Sequence, residues 1–254
     1  MKKMIAILAV AMLLWGASAA ADTLDFLKPF WMQMMDGVRN TASGKIPENV
    51  AVTCADERLT VEACGVLLEN DYSAEAHVYA VLKNTGSERL PIRSVQMTVL
   101  GANGNTLHQE NYVSYMPSVV EPGETMLVSE WMYDFVKEIG KVHSIRISVE
   151  TASRAYEKWK QLGDVRAWLD GDYLCVEFTN TTEKTLFGVI CAATVSDANG
   201  QILDMMMQSP YDTDDLGIAQ GSSIVWRKQL EDAATLKIGA DAVCKAWAYW
   251  MEDL

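Results

Sequence analysis

Sliding the chain along itself by 96 residues brings two ungapped stretches into register. Residues 82–107 read LKNTGSERLPIRSVQMTVLGANGNTL and residues 178–203 read FTNTTEKTLFGVICAATVSDANGQIL, with nine of 26 positions identical. Unrelated stretches of ordinary composition would share roughly one or two. The common positions include Asn84/Asn180, Thr85/Thr181, Leu90/Leu186, Thr98/Thr194 and Val99/Val195, and the runs Ala102-Asn103-Gly104 and Ala198-Asn199-Gly200. After a shift of two, Glu121-Pro122-Gly123-Glu124 faces Ala219-Gln220-Gly221-Ser222. A period near 100 is too long for a solenoid unit. It is the length of a whole β-sandwich, so the chain reads as two tandem copies of one domain, at 50–152 and 164–254.

Inside each copy the period is two. Val78, Ala80 and Leu82 share one face, as do Leu174, Val176 and Phe178. The next strands put Val95, Met97 and Val99, or Cys191, Ala193 and Val195, on a common core face. Such alternation marks strands half buried against a second sheet. Asn84-Thr85 and Asn180-Thr181 read as polar turns whose Asn tolerates a left-handed backbone. Asn103-Gly104 and Asn199-Gly200 are hairpin signals, because both residues accept positive φ. Closing strands are expected at 144–150 and 242–251.

Three stretches lie outside the copies. Lys2-Lys3, an apolar run at 4–15 and the small residues Gly16-Ala17-Ser18-Ala19-Ala20-Ala21 read as a signal peptide over 1–21, cut after Ala19 or Ala21. Its apolar core is short of the roughly 20 residues that a spanning helix needs. The mature chain is therefore expected in the periplasm or outside the cell, soluble and with no stable membrane span. Leu24, Leu27, Phe30, Trp31, Met34, Met35 and Val38 recur at helical spacing and predict an amphipathic helix over 23–39. It packs on the first copy or docks a partner. Residues 40–49 read as a linker, and 153–163 as a short helix or turn between the copies.

The order of strand, Asn-Thr turn, strand, Asn-Gly turn, strand and Pro-Gly or Gln-Gly turn resembles the small immunoglobulin-like domains of exported bacterial proteins. The FxLYD-type domains are the nearest pattern. Asn180-Thr181-Thr182, Ser196-Asp197-Ala198-Asn199-Gly200 and Pro122-Gly123 carry the likeness. The segments Met97-Thr98-Val99-Leu100-Gly101 and Ala193-Thr194-Val195-Ser196-Asp197 depart from the motif that names those domains. The resemblance implies an immunoglobulin-like sandwich for each copy; with the repeat and the helix predicted above, an all-β chain of two tandem immunoglobulin-like sandwiches preceded by a short amphipathic helix is expected. Such domains mostly serve as binding or spacing modules, which is what the resemblance implies here, although fold alone does not fix function.

Removing the signal leaves 19 basic against 34 acidic residues, a net charge of −15. Phosphate backbones repel such a chain, so nucleic acid is excluded as a partner class. No GxSxG, GxxxxGK[ST], HExxH or GxGxxG motif occurs. His77, His108 and His143 are isolated, and the second copy has no histidine at all. A non-catalytic protein without a cofactor is expected, binding a protein or cell-surface component. The alternative is a carbohydrate-binding module or extracytoplasmic enzyme, with a glycan as partner.

Four candidate sites support one reading or the other. Trp247 and Tyr249 share one face of the closing strand and form an aromatic platform if Ala246, Ala248 and Trp250 pack inward; burial in a core or between domains is the competing fate. Asp212, Asp214 and Asp215 place three carboxylates in an oxygen-rich loop that suits calcium but lacks the full EF-hand spacing. Met205-Met206-Met207, with Met32, Met34 and Met35, offers thioethers for Cu(I), although apolar faces explain both clusters. Cys54 and Cys64 flank a polar turn and are predicted to pair across a two-stranded ribbon in an oxidising compartment. Otherwise both are small buried apolar residues. Alternation sends Cys191 inward and Cys175 to the opposite face of its strand.

Overall fold

The computed structural model describes residues 45–70, 74–133, 139–154, 159–208, 217–230, 236, 238–239 and 241–252. The expected signal peptide at 1–21, the expected helix over 23–39 and residues Asp212, Asp214 and Asp215 lie outside the described residues. Within residue 44 onward, one compact unit, the strands are β1 (Lys45–Glu48), β2 (Ala51–Cys54), β3 (Leu59–Asn70), β4 (Ala74–Asn84), β5 (Leu90–Gly101) and β6 (Thr106–Glu110). They continue as β7 (Ser114–Met116), β8 (Val119–Val120), β9 (Thr125–Met132), β10 (Val142–Thr151), β11 (Trp159–Gln161) and β12 (Val165–Asp170). The last are β13 (Tyr173–Thr179), β14 (Ile190–Ser196), β15 (Ile202–Gln208), β16 (Ser223–Gln229) and β17 (Val243–Met251). The described chain is thus almost entirely β.

Four sheets form. The first runs β1-β3-β4-β9-β7, the second β2-β10-β5-β6 with β8 on β5, the third β11-β17-β14-β15 and the fourth β12-β13-β16. Apolar alternation fills the space between the first two. Val78, Ala80, Leu82, Met126 and Val128 meet Val95, Met97, Val99, Ile145 and Ile147 there. A second core joins the third and fourth sheets through Leu174, Val176, Phe178, Cys191, Ala193, Val195, Ala248 and Trp250. The inward residues expected on each copy occupy these cores.

A third cluster was not foreseen. Leu67, Tyr79, Val81 and Leu127 leave the other face of the first sheet and pack on Ala192, Ile202, Leu203, Met205 and Tyr249 of the third. The middle strands β4 and β14 are therefore buried on both faces, which is why each carries an almost unbroken apolar run rather than a clean alternation. Two backbone contacts fix this seam. A Cβ at Gly65 would sit 1.9 Å from the Ile202 carbonyl oxygen, so only glycine lets β3 approach β15 so closely. Cys64 and Gln201 form a parallel bridge beside it, and the Gln201 amide donates to Glu48 O at 3.1 Å.

Equivalent hydrogen bonds recur at positions 96 or 98 residues apart. Buried Asn84 donates to Glu88 O (2.8 Å) and Val120 O (3.0 Å), and accepts from Gly86 N. Buried Asn180 donates to Lys184 O and Ile218 O (both 2.7 Å), and accepts from Thr182 N. Gly123 N donates to Asn84 O as Gly221 N does to Asn180 O. The two asparagines thus satisfy buried carbonyls instead of adopting a left-handed turn; the one non-glycine residue with positive φ among those described is Asp164. The Asn-Gly hairpins form, but only their glycines take positive φ, Gly104 at 75° and Gly200 at 86°, while Asn103 and Asn199 do not.

Two expected connectors contain strands. Residues Lys45–Glu48 pair with β3, and Trp159–Gln161 pairs with the end of β17. Polar composition hid both, because an edge strand needs only one partner and little apolar area.

Candidate functional site

One exposed aromatic surface comes from two strands far apart in sequence. On β4, residues 75, 77, 79 and 81 share the face that leads into the seam; on β9, residues 127, 129 and 131 do the same, with His77 opposite Trp131. The rings form a ladder. Tyr79, nearly buried at the seam, tilts against His77 with centroids 6.2 Å apart, and its hydroxyl lies 3.4 Å from His77 Nδ1. His77 stacks on Trp131 at 4.7 Å, and Trp131 stacks on Tyr133 at 5.1 Å. The indole Nε1 donates to Glu75 Oε2 at 3.0 Å. Trp131 is 42% exposed and Tyr133 59%.

Each step has a local cause. Cross-strand neighbours on one face stand about 5 Å apart, the spacing of stacked rings. The cores under β4 and β9 hold the backbone still, and aromatic side chains have few rotamers to lose. The face therefore presents rigid, half-exposed apolar area beside a carboxylate, the composition of an interface hot spot. On the opposite side of β9, burial raises the Glu130 carboxyl above its usual range, and Ser114 N donates to it at 3.3 Å.

Sequence reading did not single out this ladder. Its signal was present as His77-x-Tyr79 and Trp131-x-Tyr133, two aromatic pairs at the spacing that puts both rings on one face of a strand. The register joining the two pairs was not legible, since β4 and β9 are neighbours only through the fold.

Trp247 and Tyr249 do share a face opposite Ala246, Ala248 and Trp250, but that face is the seam. Tyr249 is 1% exposed and its hydroxyl donates to Thr125 O at 3.2 Å; Trp247 packs against the same cluster. This corrects the exposed platform: a second sandwich covers it. Met206 faces the second core while Met205 and Met207 face the seam. Among the described residues no group of three or more His, Cys, Asp or Glu could hold a metal ion. No helix there is long and apolar enough to cross a membrane.

The cysteine ribbon is also corrected. β2 pairs in parallel with β10 in the second sheet, whereas β3 pairs with β1 and β4 in the first. Cys54 and Cys64 thus stand on facing sheets, both against the first core, as separate thiols. The Cys64 thiol makes its backbone hydrogen bond at Val52, two residues short of Cys54. Burial pushes both thiols up, as it does Cys244, and takes Cys191 to about 12.

No protein-family model matches the chain, and no curated protein matches it. Among solved structures the chain is similar to a transglutaminase from red sea bream, at 13% identity and a TM-score of 0.19. That match covers 68% of this chain and 27% of the other.

Proposed function

We propose that the protein is an exported, non-catalytic binding protein of two tandem immunoglobulin-like sandwiches, and that it engages a protein of the cell envelope through the His77–Trp131–Tyr133 ladder. One observation carries this reading: a rigid aromatic ladder left half exposed on a sheet whose remaining apolar face is sealed. The hydrogen bonds repeated around Asn84 and Asn180 support the tandem arrangement. The basic, apolar and small-residue start of the chain supports export.

The ladder favours a protein over a sugar. A pyranose ring needs an open aromatic face to lie on, and Trp131 has rings stacked against it from His77 and Tyr133. What Trp131 offers is its ring edge, beside the Tyr133 hydroxyl and the Glu75 carboxylate, which suits the mixed surface of a polypeptide. The test is affinity capture from the envelope fraction of the producing cell on immobilised mature protein, with a Trp131→Ala column beside it. A defined protein captured by the first and lost from the second is the expected result. Glycan-array binding abolished by Trp131→Ala would instead establish the carbohydrate alternative, and turnover of any glycan would overturn the non-catalytic reading.

A further inference from the structure

The first and fourth sheets differ at their margins. In the first, β3 carries β1 on its outer side. In the fourth, β12 is hydrogen-bonded to β13 and, among the described residues, to no second strand. Open edges invite promiscuous pairing, and charges placed along them normally blunt it. β12 carries such charges in a self-complementary order. Val165, Ala167 and Leu169 pack toward the second core, so Arg166, Trp168 and Asp170 share the outer face.

We infer that β12 pairs antiparallel with β12 of a second copy of this chain, about a two-fold axis through Trp168. In that register Arg166 lies opposite Asp170 of the other copy, Asp170 opposite its Arg166, and the two Trp168 rings face each other. The alternatives are worse. Sliding by two residues sets Arg166 against Trp168 and leaves the charges unmatched. Sliding by four sets Arg166 against Arg166, or Asp170 against Asp170. An odd slide turns the charged face toward the core. Opposite charges directly across a ladder are favourable, and like charges are not.

The surrounding side chains prepare this edge. Arg166 stacks over Trp168, its guanidinium 5.3 Å from the ring centre, and pairs with Glu177. Arg227 stacks over Tyr173 at 4.5 Å and pairs with Asp170 at 2.8 Å. Each arginine retains further N–H donors beyond those pairs. Joining two copies extends these contacts into an alternating chain of Glu177, Arg166, the second copy's Asp170 and its Arg227. It also makes a continuous six-stranded sheet. The inference is independent of the aromatic ladder, which belongs to a different sheet.

The test is the mass of the mature protein in solution over a wide concentration range, combined with engineered cysteines. The expected result is a concentration-dependent dimer in which Trp168→Cys yields a peptide linked through residue 168 to itself on non-reducing mass spectrometry. Directly opposite residues lie within disulfide reach. Should that variant fold poorly, the double variant Arg166→Cys/Asp170→Cys reads the same register through links from 166 to 170. Asp170→Cys alone should not link to itself. Arg166→Asp, which sets like charges opposite each other, should weaken the dimer at least tenfold. A monomer at every concentration overturns the inference, and so does a dimer that forms neither link.

Discussion

One face of one sheet has two fates. Toward one end of β4 and β9, Val81, Leu127 and Tyr79 are sealed under the third sheet; toward the other, His77, Trp131 and Tyr133 stack in the open. The backbone and the register are continuous across the change, so the difference lies in what covers each end. The sealed end is closed by small and flexible residues, Ala192, Met205 and Gly65, that let two backbones approach. The open end is too bulky for that approach and is held by ring stacking instead. Burial stabilises the first; the second retains apolar area for a partner.

This contrast predicts opposite responses to truncation. Tyr249→Ala, at the sealed end, removes a buried ring and orphans Thr125 O, and should cost about 3–5 kcal/mol in urea or guanidinium unfolding. A loss under about 1 kcal/mol would mean that the two sandwiches do not share a seam in solution. Next in size, Asn84→Ala and Asn180→Ala should each cost about 2 kcal/mol, because each leaves one buried carbonyl, Val120 O or Ile218 O, without its donor. Similar losses at both sites sharpen the tandem reading, and a loss at only one breaks it. Trp131→Ala, at the open end, should change stability by no more than about 1 kcal/mol, the scale of a ring–ring contact beyond area burial.

The thiols give a finer probe of the same division. Unreduced protein should alkylate at both Cys54 and Cys64, slowly, while Cys191, raised to about 12 by burial in the second core, stays unlabelled until unfolding. A recovered Cys54–Cys64 linked peptide would contradict the placement of β2 and β3 in different sheets. Smallest of all is Glu130. Burial raises its folded pKa, so its stabilising contribution is complete below the unfolded value and is lost as pH rises through the folded one. Glu130→Gln should therefore raise the neutral-pH melting temperature slightly, by the equivalent of less than about 1 kcal/mol because the group is partly exposed. The gain should shrink in acid.

The sequence revealed the cores better than the surfaces. Val78-x-Ala80-x-Leu82 and Cys191-x-Ala193-x-Val195 announced their inward faces by alternation, and the Asn-Gly pairs placed both hairpins. The facing of Trp247 and Tyr249 was also legible, since it follows from the same period of two. What covered that face was not, because it depends on a contact between β3 and β15 that are more than 130 residues apart. The unbroken runs in β4 and β14 were the missed clue, as a strand with one wet face would not be apolar at successive positions. The ladder was illegible for a related reason: it exists only once β4 and β9 are adjacent. The asparagines were located correctly and misassigned, because a side chain that brackets buried carbonyls looks in sequence like one that makes a turn.

The most direct test of the central claim is co-sedimentation of the mature protein with envelope fragments of its own cell, comparing wild type, Trp131→Ala and Trp247→Ala, each with its melting temperature. The account predicts that Trp131→Ala lowers the bound fraction at least tenfold, about 1.4 kcal/mol of binding, while melting close to wild type. Trp247→Ala should melt lower yet bind as wild type wherever it remains folded. Binding by Trp131→Ala equal to wild type, with Trp247→Ala impaired while still folded, would contradict it.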